Sequence, residues 1–318
     1  MHSLNGKIMV KLMRRTKILV SILLIIWLVG CSGKQGAEQE LKGDAIIVAA
    51  TFYPLYDLTK SIVMEKGIVY SIVPAGIEPH DYEPNPSDLQ KLSNADVFVI
   101  MGIEFAEFEE DLGNVNSKAK AIPSAIGISL LKTEEEENEA EDEPEHTGED
   151  PHIWLSPKNA QKMTLNIMNG IIGEDPSNGE YYLKNGQELI DNLKALDEEF
   201  KEGLSSCNKD VILVNHNAFS YLARDYGFST IEISGLEPEV EPTPQQLAKL
   251  IQEAKKHNIK YIFYEELVDS RVVRTIADEI GAQVLVLDPI EGASNPSDTY
   301  FTLSRKNLKN LRTALGCK

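Results

Sequence analysis

The chain has 318 residues, long enough for two domains of about 130 residues, each able to bury its own core. Its 50 acidic and 31 basic side chains leave a formal net charge of −19. That balance repels nucleic-acid phosphates and suits the attraction of cations.

The first thirty residues read as a secretion address. Lys7, Lys11, Arg14, Arg15 and Lys17 form a basic stretch, followed by the apolar run from Ile18 to Gly30. At about 13 residues the run is short of the ~20 that cross a bilayer as a helix. It ends in Leu28-Val29-Gly30-Cys31, which resembles the lipobox of bacterial lipoproteins. There the cysteine is lipidated and becomes the mature N-terminus. Residues 31–45 are then a tether, polar from Ser32 to Gly36, and losing residues 1–30 takes the net charge to −24.

From residue 46 to about 176 short apolar runs alternate with helical patterns. Ile46 to Ala50, Ile68 to Val73 and Val97 to Ile100 read as strands; Leu55 to Lys66 and Pro86 to Ala95 read as helices. Within this half, residues 133–150 hold eleven acidic residues in eighteen, with one histidine, His146. Such a segment buries no core and reads as a solvated loop. From Gly179 to Ser205, Leu189, Leu193, Leu196, Phe200 and Leu204 recur at spacings of three or four, the stripe of one long helix. About 27 residues at 1.5 Å make a rod of roughly 40 Å, a linking segment over 177–206 that resists a wide hinge. The half from 207 to 318 repeats the scheme with strands at 211–214, 230–233, 261–264 and 284–287, and helices at 244–257 and 270–280. The reading is an α/β fold of two domains, each a parallel β-sheet flanked by helices, joined by one long backbone helix.

Ligands in such sheets bind beyond the carboxyl ends of strands. His216 follows Val214 by two residues, Asp288 directly follows Leu287, and His80 sits in the loop leaving the second strand. His152 lies in Asp150-Pro151-His152-Ile153-Trp154, before a helix with Ser156 as N-cap and Pro157 at its first position. Any one of these is ordinarily a surface or core residue, and Asp288-Pro289 alone reads as a turn. Together, His80, His152, His216 and Asp288 supply three imidazoles and a carboxylate, two groups from each half, a set suited to Zn²⁺ in the cleft between domains. Glu265 and Glu266 follow another strand end, and Glu265 is a candidate partner for an imidazole. His2 and His257 carry no such placement. Outside the cytoplasm Cys207 and Cys317 are expected to pair as a disulfide.

Five ordered blocks resemble the zinc/manganese substrate-binding lipoproteins of bacterial ABC transporters (the ZnuA/TroA-like family). They are Pro79-His80-Asp81-Tyr82-Glu83-Pro84-Asn85-Pro86-Ser87-Asp88-Leu89, Asp150 to Pro157, His216 to Leu222, the Glu237-Pro238-Glu239 to Pro244 stretch, and Leu287-Asp288-Pro289. The resemblance implies one buried metal held by His80, His152, His216 and Asp288. It also implies a monomer anchored outside the cytoplasm by its lipid, with a membrane permease and a cytoplasmic ATPase as partners. Manganese-binding members often have a carboxylate where this chain has His216, so the third imidazole favours zinc, with Mn²⁺ the alternative. The acidic loop departs from the His-rich loop of zinc-type members. Two readings from other classes remain at this point: a surface adhesin, a role described for relatives, and a secreted zinc hydrolase with Glu265 as general base. Neither an H-E-x-x-H nor a G-x-S-x-G stretch occurs to support the hydrolase.

Overall fold

The computed structural model describes residues 45–80, 82–103, 105, 108–109, 112, 118–132, 148–236, 242–295 and 297–318. The expected lipidation site Cys31, His146 with most of the acidic loop, and residues 237–241 lie outside them. Residues 45–318 form one compact unit.

The first sheet joins β1 (Ile46–Ala50), β2 (Gly67–Ser71), β3 (Val97–Ile100) and β4 (Lys120–Pro123) in the order β2-β1-β3-β4, all parallel. Central β1 is an unbroken apolar run because both its faces are covered; Val48, Ala49 and Ala50 are wholly buried. β4 has no apolar run to announce it. Its Lys120 and Pro123 suit an edge, where one side of the ladder needs no partner. The helices α1 (Tyr53–Val63) and α2 (Pro86–Asn94) follow β1 and β2. A capping box starts α2: the Asn85 side chain accepts from the Ser87 N–H at 2.8 Å, and Asp88 accepts from the Asn85 N–H at 3.0 Å.

Two-residue strands β5 (Leu131–Lys132) and β6 (Glu149–Asp150) then pair antiparallel. The acidic segment thus leaves and returns through a short ladder, and its last residue, Asp150, belongs to the ladder rather than to a loop. In α3 (Pro157–Glu174) Ser156 caps the helix by accepting from the Asn159 N–H, with Pro157 at the first position. The rod is α4 (Gly179–Leu204), 26 residues long. Its expected stripe, Leu189, Leu193, Leu196, Phe200 and Leu204, is buried. Gly186 lets it approach α3, since a Cβ there would meet Met168 Sδ at 2.4 Å.

The second sheet has β7 (Val211–Val214), β8 (Ser229–Glu232), β9 (Tyr261–Tyr264) and β10 (Gln283–Val286) in the parallel order β10-β9-β7-β8. Around it run α5 (Ser220–Tyr226), α6 (Pro244–Lys256), α7 (Arg271–Ile280) and α8 (Tyr300–Leu315). Cys207 and Cys317 form a disulfide that ties the entry of β7 to the end of α8. Among the described residues no helix is long and apolar enough to cross a membrane.

The rod is not the sole connection between the halves. The Trp154 indole donates to the Pro289 carbonyl at 2.7 Å, and the Tyr300 hydroxyl donates to the Trp154 carbonyl at 2.6 Å. Tyr53 donates to the Asp298 carbonyl, and Asp57 accepts from the Tyr300 N–H. These bonds are buried or partly buried, where each is worth about 1 kcal/mol or more and costs more if one partner is left unpaired. They fix the distance between the groups that the two halves present to each other.

Candidate metal centre

His80 lies beyond β2, His152 between β6 and α3, and His216 two residues past β7, so both halves converge at the carboxyl ends of their strands. The three imidazoles meet. Their ring centroids are 5.1 Å apart for His152–His216, 5.4 Å for His80–His152 and 6.0 Å for His80–His216. The Nε2 atoms of His152 and His216 are 3.3 Å apart.

The fourth group is Glu291, not Asp288. Glu291 Oε1 stands 3.3 Å from His152 Nε2, 3.4 Å from His80 Nε2 and 3.9 Å from His216 Nε2. Among the described residues, His80, His152, His216 and Glu291 are the group whose donor atoms all lie within 4.8 Å of one another. Asp288 takes a different task. Its Oδ1 accepts from the Ile290 N–H at 2.7 Å, an Asx-type turn, while Asn307 bonds both its N–H and its carbonyl. Ile290 has φ +58°, a left-handed backbone that a β-branched residue adopts only when its surroundings enforce it. Asp288, Asn307 and the Trp154 bond to Pro289 enforce it. The turn they brace swings the chain so that Glu291 faces the imidazoles. The sequence reading chose Asp288, three residues before the carboxylate that the structure groups with the imidazoles.

The spacing suits a tetrahedral ion. A tetrahedron with bonds of about 2.05 Å, the Zn–N and Zn–O range, has edges of about 3.3 Å, close to most of the separations above. Neither carboxylate oxygen of Glu291 nor Nε2 of His80 makes a hydrogen bond within the described residues, although all are buried. Buried polar atoms ordinarily have partners. These three, crowded beside His152 and His216, call for a cation among them.

Behind the ring, carboxylates set the imidazole orientation. Asp150 Oδ1 is 2.9 Å from His152 Nδ1, and Glu265 Oε1 is 2.7 Å from His216 Nδ1. A proton on Nδ1 in such a contact makes Nε2 the nitrogen that a metal would take. Glu265 thus lies against His216, whereas Glu266 bonds Lys306 at the surface. His257 is a helix-end residue near Glu253. Asp150 was missed as a partner because it reads as the tail of the acidic run; its place before Pro151-His152 was the available signal.

Electrostatics follow from this crowding. Burial disfavours the charged form of His152, but the hydrogen bond to Asp150 and the nearby Glu291 outweigh it and push the imidazole up to about 10. Burial likewise works against ionised Glu291, and His152 and His80 overcome it, holding the carboxyl well below the usual range. Burial pushes Asp288 up to about 7, against the opposing Ile290 N–H. Glu78 is pushed up to about 9 by burial first and by the charge of Glu291 second. In the metal-free ring His152 and Glu291 thus favour each other's charged forms.

Residues 48–314 match the family described as "Zinc-uptake complex component A periplasmic". The chain is 38% identical over 310 residues to the high-affinity zinc uptake system protein ZnuA of Bacillus subtilis (strain 168), covering 94% of this chain and 96% of that protein. Among solved structures it is similar to the Zn(II)-bound ZnuA-like domain of Streptococcus pneumoniae AdcA, with a TM-score of 0.73 and 32% identity over 85% of this chain and 99% of that one. Full-length AdcA extends further; the chain spans 61% of the S. pneumoniae zinc-binding lipoprotein AdcA. It is also similar to the laminin-binding protein Lmb of Streptococcus agalactiae, described as bifunctional, with adhesin and metal-transporting activity (TM-score 0.76, 29% identity, 85% of this chain and all of that one). With a family match over most of its length and a relative of this identity, the chain belongs to the ZnuA family of zinc-uptake binding components.

Proposed function

We propose that this protein captures Zn²⁺ outside the cytoplasm, held by His80, His152, His216 and Glu291, and delivers it to an ABC importer, a membrane permease driven by a cytoplasmic ATPase. The observation that carries the reading is the ring itself, three imidazoles and one carboxylate whose donor atoms all lie within 4.8 Å of one another, with three of the separations at 3.3–3.4 Å, near the edge length of a zinc tetrahedron. The donor set supports zinc over manganese, since three imidazoles to one carboxylate favour a softer ion. Four protein donors close a tetrahedron and leave no position for the water that a hydrolase activates, which favours carriage over catalysis.

Anchoring through lipidated Cys31 and action as a monomer are parts of the same proposal, the first supported by the resemblance of Leu28-Val29-Gly30-Cys31 to a lipobox. The cross-half hydrogen bonds and the rod support a small closing movement over the ion instead of a wide hinge. Metal content after exposure to equal zinc and manganese, then desalting, tests the cargo: one zinc per chain is expected, and one manganese would overturn the metal. Zinc uptake by cells lacking the protein tests delivery; uptake from scarce zinc that is unchanged by its loss would refute that step.

A further inference from the structure

Of the four ring side chains, one reaches solvent. The side chains of His152, His216 and Glu291 have no exposure, whereas that of His80 keeps 8%. His80 ends the loop from Pro74, whose residues 74–77 are exposed, with Ile77 at 44%. An ion moving between solvent and ring therefore passes on the His80 side.

One carboxylate stands on that side without a role in the ring. Glu78 sits between the exposed loop and His80, and its Oε1 accepts from the His80 N–H at 3.2 Å. Its Oε2 is buried and has no hydrogen-bond partner among the described residues. Asp150 and Glu265 each bind an imidazole Nδ1; Glu78 has no imidazole ring to orient. It is near enough to Glu291, Glu265 and His152 to feel their charges, yet it is not one of the four donors that lie within mutual reach.

From this placement we infer that Glu78 is a transfer ligand, a carboxylate that takes the zinc ion from water on its way to the ring and receives it first on its way out. The inference rests on the zinc-capture reading above. A group of this kind lowers the barrier between solvent and site and leaves the two end states nearly alone. Once the ion is seated, three imidazoles and Glu291 outcompete it, and Glu78 returns to its bond with the His80 N–H.

The test is zinc association and dissociation by stopped flow, the latter into excess chelator, for the native protein, Glu78→Gln and Glu78→Asp. Gln keeps the acceptor for the His80 N–H and loses the charge; Asp keeps the charge. In Glu78→Gln both rates are expected to slow about tenfold, within the range that a local charge gives to association, while their ratio moves less than about threefold. Glu78→Asp is expected to remain near native rates. Unchanged rates in Glu78→Gln overturn the inference, as does faster dissociation, which would mean that Glu78 only steadies His80. Equal slowing in Glu78→Asp also overturns it, because charge would then not be the agent. A native protein that binds no zinc defeats the capture reading and this one with it; native binding with unchanged variant rates defeats this one alone.

Discussion

Replacing Glu291 by alanine removes the one charged donor of the ring and separates it from its neighbour Asp288. Apparent binding energies for four-donor zinc sites run at about 10–16 kcal/mol, or about 2.5–4 kcal/mol per donor. Part of that loss is returned. In the metal-free protein Glu291 stabilises the proton on His152, so its removal makes that imidazole easier to strip. With an offset on the order of 1 kcal/mol, the net cost is about 1.5–3 kcal/mol, roughly ten- to a hundredfold in affinity. Asp288→Asn is the control. Its amide oxygen still accepts from the Ile290 N–H, so the turn that aims Glu291 survives and affinity is expected to stay within about threefold. Competition against a zinc-sensing chelator measures both. If Glu291→Ala lost no more than Asp288→Asn, the assignment of the fourth donor would be refuted.

Other expectations follow from the same geometry. Because His152 is pushed up to about 10 without metal, zinc displaces one proton from it between about pH 7 and 9, and log affinity rises by about one per pH unit; calorimetry in buffers of different ionisation heat would read zero released protons if the imidazole were neutral. The sign for stability runs the other way. A raised imidazole value contributes to the metal-free fold below about pH 6.5 and is lost as pH rises through about 10, so the metal-free melting temperature should decline over that interval; a flat profile would argue against the imidazolium. Glu265→Gln should weaken zinc by about ten- to a hundredfold without changing stoichiometry, by loosening the proton on His216 Nδ1; native affinity would remove Glu265 from the account. Opening Cys207–Cys317, which spans 110 residues, should cost up to about 4 kcal/mol in urea unfolding yet leave zinc affinity within about twofold, and a large affinity loss would contradict the separation of staple from site.

Most of this molecule was legible because its signals are local. Most strands of both sheets are short apolar runs, and the rod announces itself by Leu189, Leu193, Leu196, Phe200 and Leu204 on one face. The three histidines could be picked out because each sits at a strand end or in a Pro-bounded loop. What the sequence hid depends on contacts between distant segments. β4 has an edge strand's composition and so lacks the apolar run. Glu291 was out of view because its direction is set by the Ile290 backbone, and that conformation is enforced by Asn307 and Trp154, respectively 17 residues after and 136 residues before it. Asp288 drew attention as a carboxylate directly after a strand. Its Asp-Pro context was the hint that it shapes a turn.

The measurement that bears most directly on the account is diffraction from the zinc-loaded protein at the zinc absorption edge. One anomalous peak about 2.1 Å from Nε2 of His80, His152 and His216 and from a carboxylate oxygen of Glu291 is the expected result. A peak coordinated by Asp288 in place of Glu291, or several peaks scattered over acidic surface with none at the imidazoles, would contradict it.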